Sequence, residues 1–458
     1  MYCYGANVRS LISALEERLD APTAKGLAQA VSRAIRDGEL AAGDQLPPIR
    51  RLAEELMISP TTVSSAWQLL ARSGTIRSDG RRGTTVAPTR RGGGERYSRA
   101  LRQESEVTLD LSTGVPDPDL LPALAPVLAR LPGRSTPTSY LDDPVLARLR
   151  DLLARDWPYE ADDVVIVDGA MDALDLVSRT LLRPGDTVLV ESPGFPPLLD
   201  LLEDRGVEMV GIPLTETGLD LDAVESALAR RPAAIFLQPR GQNPTGVSLT
   251  PTRARRLAAL LRGRDLIIVE DDSSGPIASS TPISLGQWLP EQVLHIRSYS
   301  KSHGPDLRLA AVSGPDALLS PVRHARALGQ GWSSRLLQQV LAALLEDPVA
   351  VHEVERARAE YARRRDLVVS RLRELGIDVP GTDGLNIWVP VRDESAAVLR
   401  LASQGIAVTP GSPFAVESRP GPEGHVRVTT GLVRDGHEEL ADAIADAARA
   451  GAWTAQQR

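Results

Sequence analysis

Apolar residues recur at helical spacing in three stretches near the N-terminus. The first covers residues 23–40, and the second follows the Pro-Pro pair at 47–48. The third starts at Ser59, a favourable N-cap, with Pro60 in the first helical position. Residues 75–88 then alternate around an Asp-Gly pair, which is typical of a β-hairpin. Three helices followed by a hairpin predict a winged helix-turn-helix.

From Val164 onward the pattern changes to apolar strands that alternate with amphipathic helices. This alternation is typical of an α/β protein with a mainly parallel, buried sheet. Helical stretches dominate between about 334 and 375, shorter strands follow, and a further helix is expected at 435–450. The apolar runs lie at residues 164–169, 187–192, 207–213, 233–239, 266–272 and 294–300.

The two patterns divide the chain into domains. We predict a winged helix-turn-helix domain at residues 12–88, a linker at 89–107 and an α/β domain at 108–451. The linker is polar and rich in glycine, and Gly92–Gly94 is expected to make it mobile.

Composition favours a soluble globular protein. The chain has 458 residues, of which 42% are hydrophobic and 24% charged. No run reaches the roughly 18 apolar residues that a membrane span needs, and no signal peptide is visible, so a cytoplasmic protein without membrane contact is expected. The single cysteine, Cys3, excludes a disulfide framework within the chain and a Cys-based zinc site. The six His show no metal-binding spacing, and no metal site is predicted.

Charge and lysine content add two observations. Residues 1–98 carry 14 Lys and Arg against 10 Asp and Glu, whereas the remainder carries 38 against 50. This asymmetry is compatible with a polyanion partner for the N-terminal part, or with ordinary scatter. Lys25 and Lys301 are the only lysines among 52 basic residues. Because an amine can lose its proton whereas Arg stays protonated, Lys301 is a candidate nucleophile.

The N-terminal pattern resembles the GntR-type winged helix. The matching residues are Gly38, Leu40, Gly43, Leu46, Pro47, Arg50, Leu52, Ala53, Ser59, Thr61, Thr62, Val63, Ala66, Trp67, Arg81, Gly83, Thr84 and Val86. The resemblance implies that the third helix reads an operator in double-stranded DNA. The residues expected to contact DNA are Arg50, Ser59, Thr61, Thr62, Ser64, Arg81 and Arg82. Pro48 and Pro60 depart from the family pattern, and each removes an expected DNA contact. A structural helical bundle is the alternative.

The α/β part carries a second ordered set of motifs, placed at strand ends where such sheets bind ligands. The set comprises Gly169, Ala173–Asp175, Pro193, Phe195, Pro196, Asn243–Gly246, Glu270–Asp272, Ser298, Ser300, Lys301, Leu307, Arg308, Pro410–Ser412, Phe414 and Arg427. Together these residues resemble the aminotransferase class of fold-type-I enzymes that use pyridoxal 5'-phosphate (PLP). The resemblance spans about residues 108–450 and implies an α/β architecture with large and small domains.

The resemblance also implies roles for individual residues. Lys301 is expected to bond the PLP aldehyde as a Schiff base, and Asp271 to pair with the pyridine nitrogen. Arg427 resembles the clamp for a substrate or effector carboxylate. The other implied cofactor contacts are Phe195 on the ring face, Asn243 at the ring hydroxyl, Ser298, Arg308 and the amides of Ala170 and Met171 at the phosphate, and Tyr140, which resembles a residue that reaches the phosphate held by a second subunit.

Departures from the aminotransferase pattern bear on activity. Ser273 stands where relatives carry a Tyr that bonds the ring hydroxyl, and the Ala170–Met171 pair replaces Ser-Gln. Asp172 is expected to place a repulsive charge near the phosphate, and Pro197 occupies the position of a second carboxylate-binding Arg. PLP binding is expected to be retained, with weak or absent transamination.

A GntR-like winged helix joined to an aminotransferase-like domain is the layout of the MocR-type transcription regulators. The resemblance implies a DNA-binding homodimer whose PLP site senses either PLP itself or an amino acid or amine. The alternative is a working aminotransferase with an appended DNA-binding domain.

Overall fold

The computed structural model describes residues 21–36, 39–40, 43–72, 76–79, 83–86, 107–131, 142–416 and 424–450, together with 12, 15, 16, 18, 19, 96 and 139. Contacts divide the chain into two compact units. One comprises residues 1–95, 182–187 and 200–209, and the other comprises the remaining residues. Tyr140, Arg81, Arg82 and Gly92–Gly94 lie outside the described residues, so their predicted roles stay predictions.

The N-terminal unit contains the predicted winged helix-turn-helix. Its described helices are α1 (Ala24–Arg36), α2 (Ile49–Glu55) and α3 (Pro60–Arg72), and its strands are β1 (Ile76–Asp79) and β2 (Gly83–Val86). A shared core forms because each helix turns its apolar side inward. Leu27, Val31, Leu52 and Val63 are fully buried there, and Trp67 nearly so.

The wing is held on both sides of β2. β1 and β2 pair antiparallel, with Asp79 opposite Gly83 across the predicted turn. On the other side, the amide of Leu46 donates to the carbonyl of Thr84, and the amide of Val86 donates to the carbonyl of Asp44. The segment between α1 and α2 is therefore part of the wing, and it fixes the hairpin to the helical core.

The larger unit is built on a sheet of eight strands within the described residues, in the order β4-β11-β10-β9-β8-β5-β6-β7. β5, β8, β9 and β10 run parallel, while β11 is antiparallel to both β10 and β4. The strands are β4 (Asp163–Val167), β5 (Thr187–Ser192), β6 (Glu208–Thr215), β7 (Gly218–Leu219), β8 (Ala234–Leu237), β9 (Ile267–Asp272), β10 (Val293–Ser298) and β11 (Ala310–Gly314).

The direction of the strands places the predicted site residues at one edge of this sheet. β4, β5, β8, β9 and β10 share a direction, so their carboxyl ends meet at the same edge. β11 begins at that edge, since Ala310 lies opposite both Val167 and Ser298. The sequence predicted the parallel strands but not β11, whose residues are mostly small. The predicted mainly parallel α/β fold is thus confirmed, with an antiparallel strand inserted.

The larger unit also contains helices and a smaller sheet. The order of the smaller sheet is β12-β15-β14, and a further pair joins β13 to β3 in parallel. The additional strands are β3 (Leu109–Asp110), β12 (Ile387–Val391), β13 (Ile406–Ala407), β14 (Thr409–Pro410) and β15 (Gly424–Val428). The described helices are α4 (Leu124–Arg130), α5 (Ala147–Asp156), α6 (Ala170–Leu181), α7 (Pro196–Asp204), α8 (Leu221–Leu228), α9 (Pro251–Leu261), α10 (Asp316–Ala327), α11 (Arg335–Glu346), α12 (Pro348–Glu374), α13 (Glu394–Ala402) and α14 (His437–Ala448).

The large and small domains of this unit are fastened by a buried carboxylate. Asp383, in the loop before β12, accepts hydrogen bonds from the amides of Ser279 and Ser280 at 2.7 and 2.9 Å and from the Ser248 hydroxyl at 2.9 Å. The same loop lies against the turn after β8, where a Cβ on Gly246 would meet the Asp383 carbonyl at 2.8 Å.

None of the helices in the described part of the chain is long and apolar enough to cross a membrane.

Candidate functional site

A cradle for an anion forms where β4 turns into α6. Gly169 has a φ of +101°, and a Cβ there would lie 2.8 Å from Nη2 of Arg308. Glycine therefore lets the guanidinium approach, and Nη2 donates to the Asp168 carbonyl at 2.9 Å. The amides of Ala170 and Met171 are the first of α6, so no carbonyl within the helix accepts from them. They lie at the positive end of the helix dipole. This combination suits a phosphate.

Ser298 lies at the same edge of the sheet, at the end of β10. Its side chain is buried at the carboxyl end of the strand, and its Oγ accepts from the Ser300 amide at 3.3 Å. Ala310, opposite Ser298, starts the strand that follows Arg308. The four residues predicted to hold the phosphate, Ala170, Met171, Ser298 and Arg308, thus lie at one edge of the sheet.

The sequence suggested that the charge of Asp172 would repel a phosphate in this cradle. The structure shows that the Asp172 carboxylate is paired with an arginine. Its Oδ2 accepts from Nη1 of Arg326 at 2.6 Å and from the Asp168 amide at 2.9 Å. The predicted repulsion is therefore countered by an arginine 154 residues away in sequence. Arg326 lies on α10, a helix that the sequence analysis did not single out.

Asp271 is a buried carboxylate on β9 that faces the site. Its Oδ2 accepts from Nε2 of Gln238 at 2.7 Å and its Oδ1 from the Ser273 hydroxyl at 2.5 Å. Burial raises the pKa of Asp271, while these hydrogen bonds and the nearby Lys301 act in the opposite direction. A protonated pyridine nitrogen is a partner that would stabilise the ionised form of such a carboxylate.

Ser273 has taken a different role from the family's tyrosine. The predicted loss of a bond to the ring hydroxyl stays a prediction, but the structure shows where the serine hydroxyl goes instead. It donates to Asp271, so both carboxylate oxygens accept from neutral donors.

Lys301 lies in the turn after β10 and close enough to Asp271 for their charges to interact. Desolvation of its amine lowers the pKa of Lys301, the charge of Asp271 raises it, and Arg427 lowers it again, for a net lowering. A lowered pKa leaves more of the amine unprotonated, which is the form that attacks an aldehyde.

Arg427, on β15, joins the small domain to the site. Its Nη1 donates to Oδ1 of Asn243 at 3.2 Å, and its Nη2 donates to Oγ1 of Thr409 at 2.9 Å and to the Ser112 carbonyl. The guanidinium also lies over the Phe414 ring, 5.3 Å from its centroid. Arg427 and Asn243 were both predicted site residues, and the structure brings them into contact.

Phe195 lies beside Asp271, where the two line a common cavity. Glu191 and Gln238 line the same cavity, and sequence analysis missed both. Burial raises the pKa of Glu191 to about 8, although hydrogen bonds from the Gln238 amide and the Gln242 side chain counteract it. Glu191 stands two residues before Pro193 of the predicted motif, and Gln238 stands just after β8, so strand-end position was the signal that could have pointed to them.

The other face of β9 carries a separate ionic layer. Side chains alternate along a strand, so Glu270 and Asp272 point away from Asp271. Nε and Nη2 of Arg240 donate to the two oxygens of Asp272 at 3.1 and 2.5 Å, and Nδ1 of His295 lies 2.7 Å from Oε2 of Glu270. Burial alone would raise the pKa of Asp272, but Arg240 outweighs it and lowers the pKa. Asp271 is thus the member of this acidic run that faces the site.

Those residues predicted to contact DNA that the structure describes lie on α2, at the N-cap of α3 and on α3 itself. Arg50 and Thr61 are exposed, and Thr62 and Ser64 are half-exposed. Ser59 caps α3, as predicted, because its Oγ accepts from the Thr62 amide at 3.0 Å. The hydroxyls of Ser59 and Thr62 lie 2.8 Å apart, so the two side chains share a hydrogen bond.

The residues at the sheet edge fit PLP in chemical type and position. The Gly169 cradle admits a phosphate, Asp271 can face a ring nitrogen, and Lys301 has an amine of lowered pKa. Phe195 adds an aromatic ring beside Asp271. Few other ligands combine a phosphate, a basic ring nitrogen and an aldehyde.

Family comparisons match both parts of the chain. Residues 23–86 match the bacterial regulatory proteins of the gntR family, and residues 106–444 match aminotransferase class I and II. This chain belongs to the MocR-type transcription regulators. Over 432 residues, 91% of this chain and 96% of the relative, it is 34% identical to the vitamin B6 salvage pathway transcriptional repressor PtsJ of Salmonella typhimurium.

Sequence and structure comparisons also match this MocR-type chain to aminotransferases. The 2-aminoadipate transaminase of Thermus thermophilus is 31% identical over 349 residues, 71% of this chain and 87% of the relative. The solved structure of LysN from the same species, complexed with N-(5'-phosphopyridoxyl)-L-leucine, superimposes with a TM-score of 0.65 at 25% identity, covering 77% of this chain and 96% of that one.

The aminotransferase-like domain of this MocR-type protein uses PLP as its cofactor. When bound, PLP supplies an aldehyde for an amine and a ring that accepts electrons. The chain's own residues offer a cradle for an anion, a buried carboxylate and an amine of lowered pKa.

Proposed function

We propose that this regulator controls transcription through the occupancy of its PLP site, with PLP itself as the signal. The observation that carries the proposal is that an anion cradle, a buried carboxylate and an amine of lowered pKa occur in the same chain as a GntR-type winged helix. The name of the Salmonella relative, a repressor of vitamin B6 salvage, supports PLP as the signal. In this proposal Lys301 bonds the PLP aldehyde and Asp271 pairs with the ring nitrogen. The ring hydroxyl and the ring face are contacted by Asn243 and Phe195. The phosphate is held by Ser298, Arg308 and the amides of Ala170 and Met171.

Arg427 bears on the choice between PLP and an amino acid as the signal. Its Nη2 already donates to Ser112 and Thr409, and its Nη1 donates to Asn243. An effector carboxylate would have to compete with these acceptors for the same donors, which favours PLP alone. An amino-acid effector held by Arg427 is the second candidate, favoured by the burial of that guanidinium beside Asn243.

The test compares operator affinity for the apo and PLP-loaded protein at matched salt. We expect the two forms to differ roughly 5–150-fold, the range of a coupling of about 1–3 kcal/mol. Pyridoxine 5'-phosphate, which has the phosphate but no aldehyde, is the matched ligand control. Lys301→Ala is the matched protein control and should lose both the visible absorption band and the PLP response, with operator binding retained.

Equal affinity of apo and PLP-loaded protein would exclude PLP as the signal. A panel of amino acids added to the PLP-loaded protein then tests the second candidate. If no amine changes operator affinity either, the proposal that this site regulates transcription is wrong. That result would favour the alternative, a working aminotransferase. Keto acid formation measures that alternative directly; we expect turnover well below about 1 per second. Ser273→Tyr should raise it if the missing phenol limits it, with Ser273→Ala as control.

We also propose a cytoplasmic homodimer. A symmetric dimer presents two winged helices to two related half-sites, and Tyr140 is proposed to reach the second subunit's cofactor. The domain boundaries 12–88 and 108–451 remain part of the proposal. Light scattering of the full chain measures the oligomeric state, and a monomer at micromolar concentration would contradict it.

A further inference from the structure

The phosphate end of the PLP site contains two carboxylates, which is unexpected for a cradle that receives an anion. Asp168 precedes Gly169, and Asp172 lies in the first turn of α6. Both side chains are partly exposed, at 32% and 22%, so neither is removed from the site by deep burial. Uncompensated, either charge would repel the phosphate through a medium of reduced dielectric constant.

Arg326 meets both carboxylates from α10. Its Nη1 lies 2.6 Å from Oδ2 of Asp172, and its Nη2 lies 3.5 Å from Oδ2 of Asp168. The guanidinium is 3% exposed, so its charge is poorly screened by solvent. Nη2 also donates to the Ser333 hydroxyl at 2.9 Å, and Ser333 in turn donates to the Ile166 carbonyl of β4 at 3.2 Å. Arg326 is therefore fixed to the strand that leads into the cradle.

Asp172 is held at the N-terminal end of α6 by two hydrogen bonds. Its Oδ2 accepts from both Arg326 and the Asp168 amide, and this second bond closes the turn around Gly169. Arg308 holds the Asp168 carbonyl in the same turn. Within this turn the carbonyl of Asp168 accepts from Arg308, and the amide of Asp168 donates to Asp172, which is itself paired with Arg326.

We propose that Arg326 is a positioning residue for the cofactor: it neutralises Asp168 and Asp172 and thereby makes the α6 cradle able to accept a phosphate. It acts through the two carboxylates rather than by touching the phosphate. The proposal rests on PLP as the cofactor and is independent of whether PLP is the transcriptional signal. A role of Arg326 in folding alone predicts a different pattern of ligand affinities, because only an electrostatic role depends on the ligand's phosphate.

The test titrates apo protein with PLP and with pyridoxal, which has the same aldehyde and ring but no phosphate. Affinity is read from the visible absorption band, without DNA. In Arg326→Gln we expect PLP to bind about tenfold more weakly, equivalent to about 1.4 kcal/mol, with pyridoxal affinity unchanged. Arg326→Lys, which keeps the charge, should retain most of the PLP affinity.

Asp172→Asn supplies the matched second variant. Its amide oxygen still accepts from the Asp168 amide, but the negative charge is gone. Alone it should leave PLP affinity equal or higher, and combined with Arg326→Gln it should recover most of the lost affinity. Equal losses for PLP and pyridoxal, or a double variant as weak as Arg326→Gln, would overturn the proposal. Loss of folding in Arg326→Gln leaves the decision to Arg326→Lys and Asp172→Asn: weak PLP binding in either one contradicts the proposal.

Discussion

Single residues at the sheet edge differ in charge because their neighbours differ, although their burial is alike. Asp272 and Glu191 are both buried carboxyls close to Asp271. Asp272 is bonded at both oxygens by the Arg240 guanidinium, which lowers its pKa despite burial. Glu191 has amide donors instead, and burial raises its pKa to about 8. At neutral pH the first is therefore an anion and the second carries a proton.

Glu191 should make the stability of the apo protein depend on pH. An unfolded glutamate ionises near pH 4.3, whereas native Glu191 keeps its proton up to about 8. Between these values the native state binds the extra proton, so the unfolding free energy falls as the pH rises. Glu191→Gln removes this loss. Its stability relative to wild type should increase by about 1.4 kcal/mol per pH unit between roughly pH 5 and 8.

Chemical denaturation of both proteins at several pH values measures this difference. The comparison at pH 5 against pH 8 is its own control, because any packing change from the substitution contributes equally at both. A difference that stays constant with pH, or that shrinks as the pH rises, would show that Glu191 is ionised in the native protein.

At the scale of elements, the sequence was most informative where local pattern decides structure. Ser59 and Pro60 predicted the start of α3, and the apolar runs predicted the parallel strands whose carboxyl ends form the site. β11 was missed because Ala310–Gly314 consists mostly of small residues without strong strand preference. The role of Arg326 was missed for another reason: its contacts cross 154 residues, and no local pattern records such a pairing.

The N-terminal cap of α3 provides a prediction at this scale. Ser59→Ala removes the acceptor for the Thr62 amide, a change that typically costs about 1 kcal/mol. Hydrogen exchange of α3 amides should therefore become about fivefold faster, as 1 kcal/mol implies. Ser64→Ala, in the same helix but away from its cap, is the control and should change exchange by less than twofold. Similar acceleration in both variants would mean that the hydroxyl of Ser59 has no special role.

For the whole molecule, charge is divided between the two parts: the first 98 residues are net positive and the rest net negative. We therefore expect DNA binding to depend on a few basic side chains, each of which has a measurable effect on affinity. Arg50→Ala should weaken binding about evenly across DNA sequences and reduce the slope of log affinity against log salt by about 0.9, the value for one phosphate contact. Fluorescence anisotropy over a salt series measures the slope. Arg400→Ala, an exposed arginine on α13, is the control; an equal change there would assign the effect to net charge.

The shortage of lysine has a consequence for how the protein can be assayed. PLP is an aldehyde, and in most proteins it also condenses reversibly with exposed lysine amines. Here 50 of the 52 basic side chains are guanidinium groups, which stay protonated, and Lys301 has an amine of lowered pKa beside Asp271. Background adducts are thereby confined to Lys25 and the chain's amino terminus. A titration of the purified protein followed by borohydride reduction should therefore count occupied PLP sites almost directly.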